Sequence, residues 1–145
     1  MSFVDTHGTV LAFDLGLKRT GVASGELSIG VAHPLTVIQA DSTEARLAAI
    51  AKLVTEWQPV LLVLGLPTHA DGSEHQMTRV AKNFARKLES RFNLPVFLVD
   101  ERHTSTAAES EVHERGIHGK KNKALADAVA AQLILQGFFD ARLIA

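Results

Sequence analysis

Hydrophobic and polar positions divide the chain into short apolar runs followed by longer helical periods. Residues 9–16 read TVLAFDLG, an apolar run broken by one carboxylate and closed by glycine, which predicts a buried strand. TGVASGE (20–26) and GVAHPLTVIQ (30–39) follow at hairpin distance, with glycines at the joins and Pro34 marking an edge or a strand start. Three consecutive antiparallel strands are expected. From Ser42 the period lengthens. Leu47, Ile50, Val54 and Trp57 share one helical face, Ser42 or Thr43 can cap it and Pro59 closes it, so a helix is predicted over 43–57. VLLVLG (60–65) is a continuous apolar strand of the kind covered on both faces, and a loop over 66–72 follows.

Met77, Val80, Ala81, Phe84 and Leu88 return to helical spacing, predicting a second helix that ends near Arg91. A short strand over 95–99 runs into Asp100-Glu101-Arg102, and 104–115 reads as a helix with a threonine cap. A basic loop then leads to a last helix over about 123–139. This order predicts an α/β fold with an antiparallel start and parallel βαβ units after it. No repeat or long linker divides the chain, so residues 1–145 are expected to form a single domain.

Composition narrows the chemistry. Apolar residues make up 46% and charged residues 21%, ordinary for a globular domain. With 15 Lys+Arg against 16 Asp+Glu the net charge is −1, which excludes a strongly basic tail but not a local basic patch. The absence of cysteine removes thiolate metal sites, disulfides and cysteine nucleophiles, leaving oxygen and imidazole ligands for any metal. No apolar run approaches the roughly 20 residues of a membrane span, and Asp5 and His7 stand where a secretory signal would carry basic residues. A soluble, cytoplasmic protein is expected, with no membrane contact.

Acids at three places stand out. Asp14 lies between Phe13 and Leu15, where an uncompensated carboxylate would be costly. Asp100 and Glu101 end the last strand, and ligand sites gather beyond the carboxyl ends of such strands. Taken singly, each reads equally well as a turn cap or an arginine's partner. Asp127 is more telling: at 100° per residue it shares a packing face with Ala131, Ile134 and Phe138, opposite a polar stripe of Gln132 and Gln136 expected to face solvent. In the first turns of its helix it could also gain from the dipole. Carboxylates from a first strand, a last strand and a packed helix face suit a hard cation such as magnesium or manganese, and hence phosphodiester hydrolysis. Lys18-Arg19 after the first strand, and Arg115, Lys120, Lys121 and Lys123 in an acid-free stretch, supply charge for phosphates.

Other chemistries fail on spacing. The run from Gly16 to Gly21 has Val22-Ala23 where a Walker motif needs lysine and a hydroxyl residue. No HExxH occurs, His113 and His118 do not share a helical face, and Ser24, Ser73 and Ser105 lack a nucleophile elbow.

AFDLGLKRTGVA (12–23), AHPLTVI (32–38), VLGLPTHADGSE (63–74), DERHTSTAAE (100–109) and KKNKALADAVAAQLILQGFFD (120–140), in this order and spacing, resemble the YqgF (RuvX) nuclease family of the ribonuclease H-like superfamily over about residues 10–140. The resemblance implies a ribonuclease H-like fold: a mixed five-stranded sheet, three strands antiparallel and two parallel, with helices on both faces. It places Asp14, Glu101 and Asp127 on the catalytic, metal-binding positions, leaving Asp100 as a neighbour, and implies Mg2+ or Mn2+. Asp14 is expected to bridge two such ions and Glu101 and Asp127 to complete their coordination, with a water attacking in line. Lys18, Arg19, Arg102, Lys120, Lys121 and Lys123 are expected to hold substrate phosphates. His103 is given no chemical role.

The implied activity is maturation of the 5′ end of precursor 16S ribosomal RNA, with cleavage of Holliday junctions in branched DNA as the alternative. A non-catalytic ribonuclease H-like interaction module would be marked by loss of an acid, and all three are present. The run from Asp14 to Gly21 also resembles the first phosphate loop of actin-like ATPases, which need a second domain for which 145 residues are expected to leave no room. Either a monomer or a homodimer fits these features.

Overall fold

The computed structural model describes residues 7–66, 76–100 and 120–144. Its strands are β1 (Thr9–Leu15), β2 (Arg19–Glu26), β3 (Ala32–Gln39), β4 (Leu61–Leu66) and β5 (Val96–Asp100). Its helices are α1 (Thr43–Trp57), α2 (Gln76–Phe92) and α3 (Lys120–Ile144). The strands form one sheet in the order β3-β2-β1-β4-β5. β1–β2 and β2–β3 are antiparallel, and β1–β4 and β4–β5 are parallel, as expected. Pro34 lies on β3, an edge strand, and the β2–β3 register shifts between Val22 and Ala23 opposite it.

Alternation along β1 and β4 builds two cores. Leu11, Phe13, Leu15, Leu62 and Leu64 pack with Leu47 and Ile50 of α1 and Ala81, Phe84 and Leu88 of α2. Val10, Ala12, Leu61 and Val63 meet Ala131, Ile134, Leu135 and Phe138 of α3 on the other face. Helices therefore cover both faces. The Ser42 hydroxyl accepts from the Ala45 N–H at 3.1 Å and starts α1, while Gln58, with φ 46°, ends it in the left-handed region.

Several expectations change. α3 begins at Lys120 and runs to Ile144, so Lys120, Lys121 and Lys123 belong to a helix rather than a loop. Lysine and alanine are good helix formers, and no proline or glycine interrupts the chain from Lys120 to Gln136, so the helix continues back through the basic stretch. Asp127 is consequently about two turns inside α3. Val80 is 45% exposed, because α2 turns Thr78, Ala81, Phe84, Ala85 and Leu88 inward. Gln132 and Gln136 do not form a solvent stripe: they bond the start of β3, with Gln132 Nε2 donating to the Ala32 carbonyl, Gln136 Oε1 accepting from the Ala32 N–H, and Gln136 Nε2 donating to the Gly30 carbonyl, at 3.0–3.1 Å. Of the loop predicted over 66–72, Leu66 instead ends β4, and the rest, like the predicted helix over 104–115, lies outside the described residues. No described helix is long and apolar enough to cross a membrane.

Candidate active site

Asp14 shares its parity in β1 with Val10 and Ala12, so it faces α3. The β1–β4 pairing ends at Phe13 and Leu64, which leaves Asp14 half-buried at the carboxyl end of the parallel pair, where α/β sheets open their crevices. Across the antiparallel pair Asp14 stands opposite Gly21. Such partners share a face, with Cα atoms about 4.5–5.5 Å apart.

Gly21 is what admits Asp127. A Cβ added at Gly21 would overlap the carbonyl group of Asp127 and lie 3.2 Å from the Ala128 nitrogen. The backbone of α3 thus rests directly on a bare glycine, one strand away from Asp14. Asp127, far from Asp14 in sequence, is brought onto the strand partner of Asp14 because β2 has no side chain at the crossing point.

Arg19, the first residue of β2, brings its Nε to 2.8 Å from Asp127 Oδ2, with the two side chains 41% and 25% exposed. That oxygen is buried and accepts no hydrogen bond, so the contact is a close charge pairing rather than a directed bond. Burial raises the pKa of the Asp127 carboxyl from its ordinary value, and the Arg19 charge opposes the shift without cancelling it. The expected help from the helix dipole does not appear, since the dipole acts within the first turn and Asp127 lies beyond it.

The turn from Gly16 to Arg19 is held at several points. The Gly16 N–H donates to the Arg19 carbonyl at 2.9 Å, and the Ala40 N–H to the Lys18 carbonyl at 2.9 Å. Arg46, reaching from α1 and only 7% exposed, donates Nη2 to the carbonyls of Gly16 at 3.0 Å and Leu17 at 2.8 Å. Burial lowers the pKa of the Arg46 guanidinium, yet arginine stays charged in proteins, so a buried cation fixes the segment that carries Lys18 and Arg19. Beside the turn opens a cavity of about 910 Å³ lined by Lys18, Arg19, Gln39, Asp41 and Asp127, among others.

Asp14 and Asp127 offer hard oxygen donors, and Asp127 Oδ2 is a buried oxygen with no hydrogen-bond donor, so this donor set fits magnesium or manganese. Among the described residues no group of three or more His, Asp or Glu side chains is placed to hold a metal ion. Glu101 and Arg102 lie outside the described residues. Asp100 is exposed, pairs in register with Leu66 and shares parity with Val96, which places it on the α1/α2 side of the sheet, away from Asp14. Lys120, Lys121 and Lys123 occupy the first turn of α3, about 6–10 Å along the axis from Asp127.

Sequence reasoning passed over Gly21 and Arg46. Arg46 had a signal, lying four residues before Ile50 on the apolar face of α1. Gly21 had none, because only the docking of α3 makes its missing side chain matter.

A family profile described as "RuvX: Holliday junction resolvase" matches residues 8–141. A protein of Thiobacillus denitrificans, named "Putative pre-16S rRNA nuclease", is 81% identical over 145 residues covering all of both chains. One of the same name from Dechloromonas aromatica is 61% identical over 133 residues, 92% of this chain and 91% of that relative. Among solved structures, Thermus thermophilus RuvC in complex with Holliday junction substrate superposes with a TM-score of 0.59 at 16% identity, covering 94% of this chain and 96% of that one. Fowlpox virus resolvase with substrate Holliday junction DNA gives a TM-score of 0.59 at 11% identity, covering 93% and 99%. At these identities the likeness shows the fold, which is ribonuclease H-like.

Proposed function

The chain belongs to the RuvX family, and from that membership we propose that it is a nuclease hydrolysing phosphodiester bonds with a divalent cation, its substrate the precursor of 16S ribosomal RNA. The observation that carries this reading is the packing of the Asp127 backbone on Gly21, the strand partner of Asp14, beside a cavity that Lys18, Arg19 and Asp127 line. Carboxylates beside cations suit a substrate whose charge is on phosphates and whose reaction needs a metal.

In this reading Asp14, Asp127 and Glu101 hold Mg2+ or Mn2+. When bound, the cation activates water and stabilises charge on the leaving oxygen. Lys18, presented by the turn that Arg46 pins, and Arg19 and Arg102 bind the flanking phosphates. Lys120, Lys121 and Lys123 extend that grip at the α3 N-terminus. A helix N-terminus disfavours cations but its backbone N–H groups favour anions, an arrangement a bound phosphate would relieve. A single domain in the cytoplasm is consistent with that substrate.

A second reading, cleavage of branched DNA, is favoured by the family's description and by the junction-bound structures of the same fold. One assay separates the two: cleavage of precursor 16S RNA and of a four-way DNA junction side by side, with and without magnesium. RNA cut at its 5′ end only with magnesium, and lost in Asp14→Asn with the fold retained, is the expected result. Undiminished activity in well-purified Asp14→Asn protein would sink the mechanism. Absence of any cleavage would leave a non-catalytic interaction module.

A further inference from the structure

Arg19 is placed to do more than bind phosphate. Its Nε stands 2.8 Å from Asp127 Oδ2, a buried oxygen that accepts no hydrogen bond, so it supplies the positive charge at the oxygen the proposed cation would use. The pairing is of a particular kind. A structural ion pair of arginine and carboxylate is usually a two-pronged, directed contact. Here a single Nε approaches without hydrogen-bond geometry, and Arg19 is 41% exposed beside a cavity of about 910 Å³. The backbone of Arg19 is fixed by the Gly16 N–H bond to its carbonyl and by its pairing with Gln39 in β3, so only the side chain is left to move.

We propose that Arg19 is a resident counter-ion of the metal site: it neutralises Asp127 in the metal-free protein, and the arriving divalent cation displaces its guanidinium into the cavity, where it takes up a substrate phosphate. This rests on the nuclease reading and adds to it an order of events. Two cations cannot share one buried carboxylate oxygen without repulsion, so metal entry and release of Arg19 are the same step. The guanidinium so released is a planar fork suited to phosphate, and it becomes available only once the metal is present. Metal-free protein is thereby kept from gripping nucleic acid at its own cleavage site.

The test follows the Nε–H resonance of Arg19 in 15N-labelled full-length protein, assigned by its loss in Arg19→Gln, during titration with Mg2+. Calorimetry measures cation affinity in parallel. The resonance is expected to move on metal binding to the position and exchange rate of a solvated arginine. Arg19→Gln is expected to bind Mg2+ about tenfold tighter, the share of a unit-charge repulsion that survives screening at a part-exposed side chain. Arg19→Lys, which keeps the charge, should stay near wild type. A resonance unmoved at saturating Mg2+, or an affinity unchanged or weakened in Arg19→Gln, overturns the proposal. If wild type cleaves RNA or DNA while Arg19 stays put, this inference alone fails. If Arg19 is displaced but nothing is cleaved, the nuclease reading fails and the displacement stands. Protein that binds no divalent cation overturns both.

Discussion

Replacing Gly21 with alanine tests the central geometric relation of the site. The added methyl would overlap the carbonyl group of Asp127, inside the 3.0 Å that real Cβ contacts essentially never breach, and the obstacle is helix backbone that cannot rotate aside. α3 must therefore recede by about 1 Å at this point, or the strand must bend, at an overpacking cost of about 1–3 kcal/mol. For a domain of this length that corresponds to a Tm lower by about 3–12 °C, measured by circular dichroism. The same displacement moves Asp127 away from Asp14. A misplacement of about 1 Å at reacting groups costs on the order of 100-fold in rate, so kcat for magnesium-dependent cleavage should fall by that factor well below the Tm. Gly21→Ala protein within about 1 °C of the wild-type Tm and with full activity would refute the claim that α3 backbone contact sets the distance between the acids.

Other outcomes follow from the same structure. Gly137→Ala, on the exposed side of α3 with nothing within 4 Å of the added carbon, should raise stability by about 0.5–1 kcal/mol in denaturant titrations without changing cleavage. Arg46→Met removes the bonds to the Gly16 and Leu17 carbonyls while keeping an apolar stem beside Phe84. Stability should fall by about 1–3 kcal/mol, because two carbonyls lose their donor, and KM for nucleic acid should rise as the turn carrying Lys18 and Arg19 loosens. Asp127 has its pKa raised by burial, so the folded state holds its proton more tightly than the unfolded chain, and stability declines as pH rises through the unfolded value near about 4 and up to the folded one. In chelator-containing buffer Asp127→Asn should accordingly be more stable than wild type at neutral pH. That advantage should vanish at a pH low enough to protonate the wild-type carboxyl, and equal stability at all pH values would contradict the burial argument.

Much of the fold was legible because its signals are local. Alternation and continuous apolar runs mark strands, the 3.6-residue period of Leu47, Ile50, Val54 and Trp57 marks α1, and Ser42 and Pro59 bound it. Asp14 and Asp127 could be singled out for a related reason: a carboxylate in an apolar strand or on an apolar helix face contradicts its neighbours, and that contradiction is written in the sequence. The start of α3 was misread because a lysine cluster is compatible with loop and helix alike, and only continuity with the packed helix behind it settles the conformation.

What the sequence could not determine is how elements cross. That Gln132 and Gln136 serve β3 rather than solvent, that Asp100 falls on the far side of the sheet from Asp14, and that Arg46 reaches back to the β1–β2 turn all depend on which face meets which. Hydrophobic patterning states that a face is buried but not against what, because the hydrophobic effect has no direction. The acids were therefore named by the sequence, whereas their placement was decided by close packing: α3 backbone lies on β2 at Gly21, where no side chain stands in its way, and Gly21 is the strand partner of Asp14.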